Sequence, residues 1–131
     1  MQTALPNVQI AFYQALTAHT PLMNKITGVL DDVKADQPFP YVTLGEPVST
    51  PWDSKTSVGE NITWVLHCWS QYEGKREAYE ILNLMHEAFT TQSLSVSGFS
   101  VSDFRREQQQ VITDIDGLTR HGILNVRLWL T

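Results

Sequence analysis

Four histidines, His19, His67, His86 and His121, are the side chains of this 131-residue chain best suited to metal binding or proton transfer. Zinc sites need ligands at short fixed spacings, and no two of these histidines stand at i, i+4 or beside a Cys-x-x-Cys pair, so no metal is expected. His67 adjoins the single cysteine, Cys68. Neighbours on a strand point to opposite faces, so the two cannot form a thiolate–imidazole couple, and a buried, inert thiol is the better expectation. Asp114 and Asp116 flank Ile115 as paired carboxylates do in glycoside hydrolysis, but aspartate is ordinary in turns and Asp116-Gly117 is itself a turn signal. Arg105 and Arg106 are adjacent, one for each face of a strand, which suits solvated charges better than an anion site. The glycines form neither a phosphate loop nor a dinucleotide fingerprint. No catalytic, metal or cofactor site follows from these groupings, and no enzyme is expected. Trp52 is different. A tryptophan in a polar, proline-bearing stretch either folds back onto its own core or anchors a partner, and both readings stay open.

The elements that would carry these residues follow from periodicity. Leu5, Val8, Phe12, Ala15 and Leu16 recur at helical offsets, with Pro6 suited to the first turn. Thr20 as N-cap, Pro21 at the first helical position and Gly28 past the end predict a second, shorter helix. The acidic, proline-punctuated stretch 31–40 reads as a loop into an edge strand over Tyr41–Glu46. Residues 47–59 are polar, hold Pro47, Pro51, Trp52 and Lys55, and read as a long loop or a flexible hairpin tip, mobile until a neighbour orders it. Asn61–Gln71 is apolar on both alternating sets and should be a central strand covered on both sides. Ala78, Ile81, Leu82, Met85 and Phe89 mark an amphipathic helix over 75–91. Alternation from Leu94 to Ile115 predicts a strand, Asp116-Gly117 a tight turn, and Leu118–Thr131 a returning strand.

That order predicts one α+β domain over residues 1–131: a single antiparallel β-sheet with helices packed on one face. Gly122, Leu124, Val126, Leu128 and Leu130 would face the helices. The opposite face would show His121, Ile123, Asn125, Arg127 and Trp129, too apolar for simple solvent surface and too polar for a second core, which suggests a partner.

Composition narrows the partner. Ser, Thr, Asn and Gln number 36 against 23 charged residues, and 9 basic against 14 acidic groups leave a net charge of -5. Duplex or sequence-specific nucleic-acid binding, which needs clustered cations, is not expected. The chain has no apolar run of membrane-spanning length, and its first eleven residues offer no export signal, so a cytosolic product is expected.

Taken in order, Pro40-Tyr41-Val42-Thr43-Leu44-Gly45-Glu46, the isolated Trp52, Trp69-Ser70 with Gly74 and Glu77-Ala78, and Asp116-Gly117-Leu118 running into His121-Gly122 resemble the tail-completion, or head-to-tail joining, proteins of long-tailed bacteriophages. The resemblance spans nearly the whole chain. It implies a structural subunit without cofactors that assembles with copies of itself into a ring, expected to be a hexamer, at the head-proximal end of the tail tube. Its partners would be the tail tube protein and the head completion or connector protein, and its place the host cytoplasm during assembly and then the virion. Trp52, Lys55, His121, Arg127 and Trp129 are the candidate interface residues. The alternative is a small ligand-binding or enzymatic α+β dimer that uses the second sheet face as a pocket wall, with His121 and Arg127 as polar contacts.

Overall fold

The computed structural model describes residues 2–131. Helix α1 spans Leu5–Ala18, with a proline in its first turn, and buries Val8, Ala11, Phe12 and Leu16. A one-turn helix, α2 (Thr20–Met23), follows. The remaining elements are β1 (Val29–Leu30), β2 (Tyr41–Pro51), β3 (Glu60–Ser70), α3 (Arg76–Thr90), β4 (Val101–Thr113) and β5 (Arg120–Leu130). The strands form one five-stranded sheet in the order β1-β2-β3-β5-β4. Every pairing is antiparallel except that of β1 with β2. The fold is α+β, as the order of elements predicts, and β3 is its central strand.

The core lies between one sheet face and the helices. Phe12 is its centre, its ring 5.1 Å from that of Trp64 and 4.8 Å from that of Phe89. Ile62, Leu66, Ile81, Leu82, Met85, Leu124, Val126, Leu128 and Leu130 are all fully buried around it. Gly122 sits where α3 packs on the sheet: a Cβ there would lie 2.3 Å from Cys68 Sγ and 3.2 Å from Leu82. At the β4–β5 turn Gly117 has φ 71°, which a side chain would resist.

Four expectations need correction. The second helix ends at Met23, with His19 rather than Thr20 as its N-cap residue. The stretch 47–59 is not all loop, because β2 runs on through Pro51. A register shift between Leu44 and Pro47 breaks the period-two pattern there, and prolines are tolerated because β2 has an open outer edge on which their missing N–H is not needed. Residues 91–100 are not strand. Val96 is buried and Leu94 and Phe99 pack on the core from an irregular segment, so their spacing imitates alternation. Finally, β3 has no layer over its second face, where Asn61, Thr63, Val65, His67 and Trp69 are half-buried by one another and by their cross-strand neighbours.

Candidate interaction face

Strand register lays out the uncovered face as rows. Tyr41 (β2), Trp69 (β3), His121 (β5) and Ile112 (β4) form the first, next to the β4–β5 turn. The second is Thr43, His67, Ile123 and Gln110, and two rows near the other end are Val48, Thr63, Arg127, Arg105 and then Thr50, Asn61, Trp129, Asp103. Side chains directly opposite one another are close enough to interact, so each row is a continuous strip across the sheet.

The first two rows form an aromatic and imidazole cluster. The Trp69 and His121 rings stack 3.9 Å apart at 8°, and the Tyr41 ring lies 6.4 Å beyond Trp69. Trp69 Nε1 donates to Thr43 Oγ1 at 3.2 Å. His67 Nδ1 and His121 Nε2 are 2.7 Å apart, one donating to the other. Burial pushes the pKa of His67 down, opposed in part by Glu46. Burial and then the His67 charge push His121 down, opposed in part by Asp114. Both shifts favour the neutral imidazole, whose N–H can donate to the ring nitrogen of its partner.

The opposite end is ionic. Arg105 and Arg127 face each other across β4 and β5, and their guanidinium carbons lie 5.2 and 5.7 Å from the Trp129 ring centroid. Arg105 Nε donates to Asp103 at 2.9 Å and Arg127 Nε to Glu107 at 2.9 Å, which offsets the like-charge contact. His121 and Arg127 are six residues apart on one strand, about 20 Å at ~3.3 Å per residue, too far for one small-molecule pocket. Two hollows on this face are lined by other residues, Tyr41, Thr43, His67 and Trp69 in one and Thr63, Val65, Gln108 and Asn125 in the other. The polar and aromatic groups are spread along the sheet and do not converge on one point. Cys68 is on the other face, fully buried, its thiol pushed up to about 12 by burial.

Residues 10–131 match the family described as Tail completion protein gp17. The chain belongs to this family. It is 39% identical over 120 residues to the tail completion protein gp17 of Bacillus phage SPP1, covering 92% of this chain and 89% of that one. The solved structure of bacteriophage SPP1 gp17 matches with a TM-score of 0.65 at 38% identity, over 92% of this chain and 86% of that one. A chain from the virion of a native gene transfer agent (GTA) particle matches with a TM-score of 0.88 at 21% identity, over 99% and 98% of the two chains, and so shares the fold. Members of the tail completion gp17 family are phage structural proteins and not enzymes.

Of the residues singled out in the sequence, His121, Arg127 and Trp129 do share one face, at its two ends. Trp52 and Lys55 lie off that face in the β2–β3 connection, which shortens to residues 52–59. Trp52 is 43% exposed, its ring edge against Gly59 and its backbone N–H donating to Gly59 O at 2.9 Å. Lys55 is exposed in a tight turn closed by Ser54 N donating to Ser57 O. The His67–His121 pair escapes sequence reasoning, since its members are 54 residues apart and meet only once the register of β3 on β5 is known. No helix among the described residues is long and apolar enough to cross a membrane.

The neutral histidine pair has a measurable consequence. A folded-state pKa below the ordinary 6.5 means that the unfolded chain takes up protons first as pH falls. Stability from the pair is thus fully present above about pH 6.5 and is lost as pH drops below it. The melting temperature is expected to fall between pH 7 and 5, and His67→Gln with His121→Gln to flatten that slope. An unchanged slope in the double variant would show that the pair does not titrate with folding.

Proposed function

We propose that this tail completion protein forms a ring of identical subunits, a hexamer, at the head-proximal end of the tail tube and joins the tail to the head connector. One observation carries the reading: the sheet ends in exposed apolar side chains at both ends. Val48, Trp52 and Val58 are exposed at the β2–β3 hairpin, and Ile112, Ile115 and Leu118 at the β4–β5 turn. Central strand β3 spans the distance between them, 11 residues or about 36 Å at ~3.3 Å each. A subunit that joins copies of itself, a tube protein and a connector needs separated surfaces of this kind, and the mixed face between them adds another. The names of its relatives, a tail completion protein and a virion component, fit residence in the virion; on the ring reading the subunit assembles in the host cytoplasm and comes to sit at the head–tail junction.

The surface is polar and weakly charged without a large continuous apolar stripe, so the free subunit is expected to be a monomer or to associate only weakly, and head-to-tail contacts do not close at two subunits. Light scattering at several concentrations tests this, and a dimer that persists at nanomolar concentration would contradict it. Trp52 is the expected anchor of the hairpin end, with Lys55 beside it. Replacing Trp52 with alanine should leave the melting temperature nearly unchanged while weakening incorporation into tails by roughly 2 kcal/mol. A loss of about 3–5 kcal/mol of folding stability with normal incorporation would instead make Trp52 a core residue.

A further inference from the structure

Neighbouring subunits of such a ring must touch through two different surfaces, and one simple route is blocked. The outer edge of β2 beyond its short pairing with β1 carries Pro47 and Pro51, whose missing N–H groups prevent a further strand from pairing there. The sheet therefore does not continue from the β4 edge of one copy into the β2 edge of the next. Two other features remain unused by the fold. The first is the β4–β5 turn. It is locked by Asp114 N donating to Thr119 O, Gly117 N to Asp114 O, and Leu118 N and Thr119 N to Asp116 Oδ1, at 2.8 to 2.9 Å. This rigid turn holds Ile115 fully exposed and Leu118 half-exposed, at the cost of two aliphatic side chains left in water.

The second is a hollow of about 370 Å³ beside the C-terminal turns of α1 and α3. Ala15, Ala18, Ala88 and Phe89 give it an apolar floor, while Gln14, Ser93 and Ser95 supply hydroxyl and amide donors without any carboxylate in the lining. His19 also lines it; its Nε2 is buried, makes no hydrogen bond among the described residues and lies 3.7 Å from the exposed carboxylate of Glu87. A four-carbon side chain fills about as much room as four waters at ~30 Å³ each, so the hollow has room for both Ile115 and Leu118. The two features cannot meet within one chain. The turn is tied by Arg120 to Gly74, just before α3, and the hollow lies at the other end of that 15-residue helix, about 22 Å away at ~1.5 Å per residue.

We propose that the Ile115–Leu118 turn of one copy seats in the α1/α3 hollow of the next, with Asp114 and Asp116 meeting the donor groups around it. This rests on the ring reading and names its subunit contact. A rigid knob entering a preformed hole loses little ordering entropy on docking, so two aliphatic side chains can hold the contact once a tail brings the subunits together.

The test uses two separately purified full-length variants, Ile115→Cys and Ala18→Cys, mixed at high concentration with a short bis-maleimide; native Cys68 is buried and unreactive. The mixed heterodimer is expected in roughly tenfold excess over either homodimer, because a head-to-tail contact joins two unlike surfaces. A heterodimer no more than about twice either homodimer, the ratio that random pairing gives, or no product above that of a Ser57→Cys and Ala18→Cys control, would overturn the contact. A chain carrying both Ile115→Cys and Ala18→Cys reads the ring separately. Selective cross-linking that builds only open ladders supports the contact and removes the ring, whereas wild-type rings seen by native mass without selective cross-linking keep the ring and remove the contact.

Discussion

Replacing Val126 with aspartate is expected to leave no folded protein. Val126 is fully buried on β5, opposite Trp64 of β3, on the sheet face that meets α1 and α3. Arg106 of β4 is in register with it but exposed, whereas Leu66, Leu124 and Leu128 are fully buried neighbours in the same cluster, so a carboxylate buried at 126 lacks full pairing. An unpaired charge there costs several kcal/mol against a total stability of about 5–15 kcal/mol, and the aspartate also removes the packing of the valine. Arg127→Asp, one residue on, is the matched control. Arg127 lies on the uncovered face, where its loss forfeits an exposed ion pair with Glu107 worth at most about 1 kcal/mol. Circular dichroism should show cooperative melting for Arg127→Asp and none for Val126→Asp. A soluble Val126→Asp variant that melts cooperatively would mean that the two faces of β5 are wrongly assigned.

That contrast between adjacent residues is legible from β5 alone, because alternation along a strand needs no knowledge of what packs against it. The same holds for α1 and α3, whose apolar spacing places Phe12, Ile81 and Phe89 inward, and for the turn at Asp116-Gly117. What escapes is whatever depends on two segments at once. β1 is two residues long and exists only through its pairing with Val42 and Thr43. The second half of β2 is hidden because the register shift after Leu44 changes which parity faces the core, and because its prolines read as loop until the outer edge is known to be free. Loop residues 91–100 mimic a strand because burial against a flat core edge selects the same alternating apolar pattern as a sheet does. The surface shows the same division. Alternation puts His121, Arg127 and Trp129 on one face, but that His121 meets His67, and that Arg105 and Arg127 share Trp129, follows only from register.

Glu60 is the residue whose role was least visible and whose removal is expected to cost the most outside the apolar core. It precedes the strand as read from the sequence, yet it faces inward at the start of β3 and is 4% exposed. Helix α1 explains why. Its N-cap residue is Ala4, which has no side-chain acceptor, so the helix start depends on a group from elsewhere. Glu60 supplies it: Oε1 accepts the Ala4 N–H at 2.8 Å, and Oε2 accepts hydroxyls from Thr3 and Ser49. The carboxylate also stands at the positive end of the helix dipole. Burial pushes its pKa up, but the hydrogen bonds from Ser49, Thr3 and Ala4 outweigh this and hold it below the ordinary glutamate value. A lowered carboxylate pKa contributes stability that is present above about pH 4.5 and lost as pH falls through the folded-state value. Glu60→Ala strands the buried Ala4 N–H and two hydroxyls, and should cost roughly 3 kcal/mol at neutral pH, since hydrogen bonds to a charged group contribute about 1.5–3 kcal/mol. Glu60→Gln keeps the shape and one acceptor oxygen but turns an NH2 toward a hydroxyl, which can still accept from it, so its loss should be smaller, about 1–2 kcal/mol. Both variants should lose part of the wild-type drop in stability on acidification below pH 4.5, because the titrating group is gone. Denaturant melts at pH 7 and pH 4 measure all of this. A Glu60→Ala protein as stable as wild type at pH 7 would show that the N-terminal segment is held by α1 packing alone and that the carboxylate is a bystander.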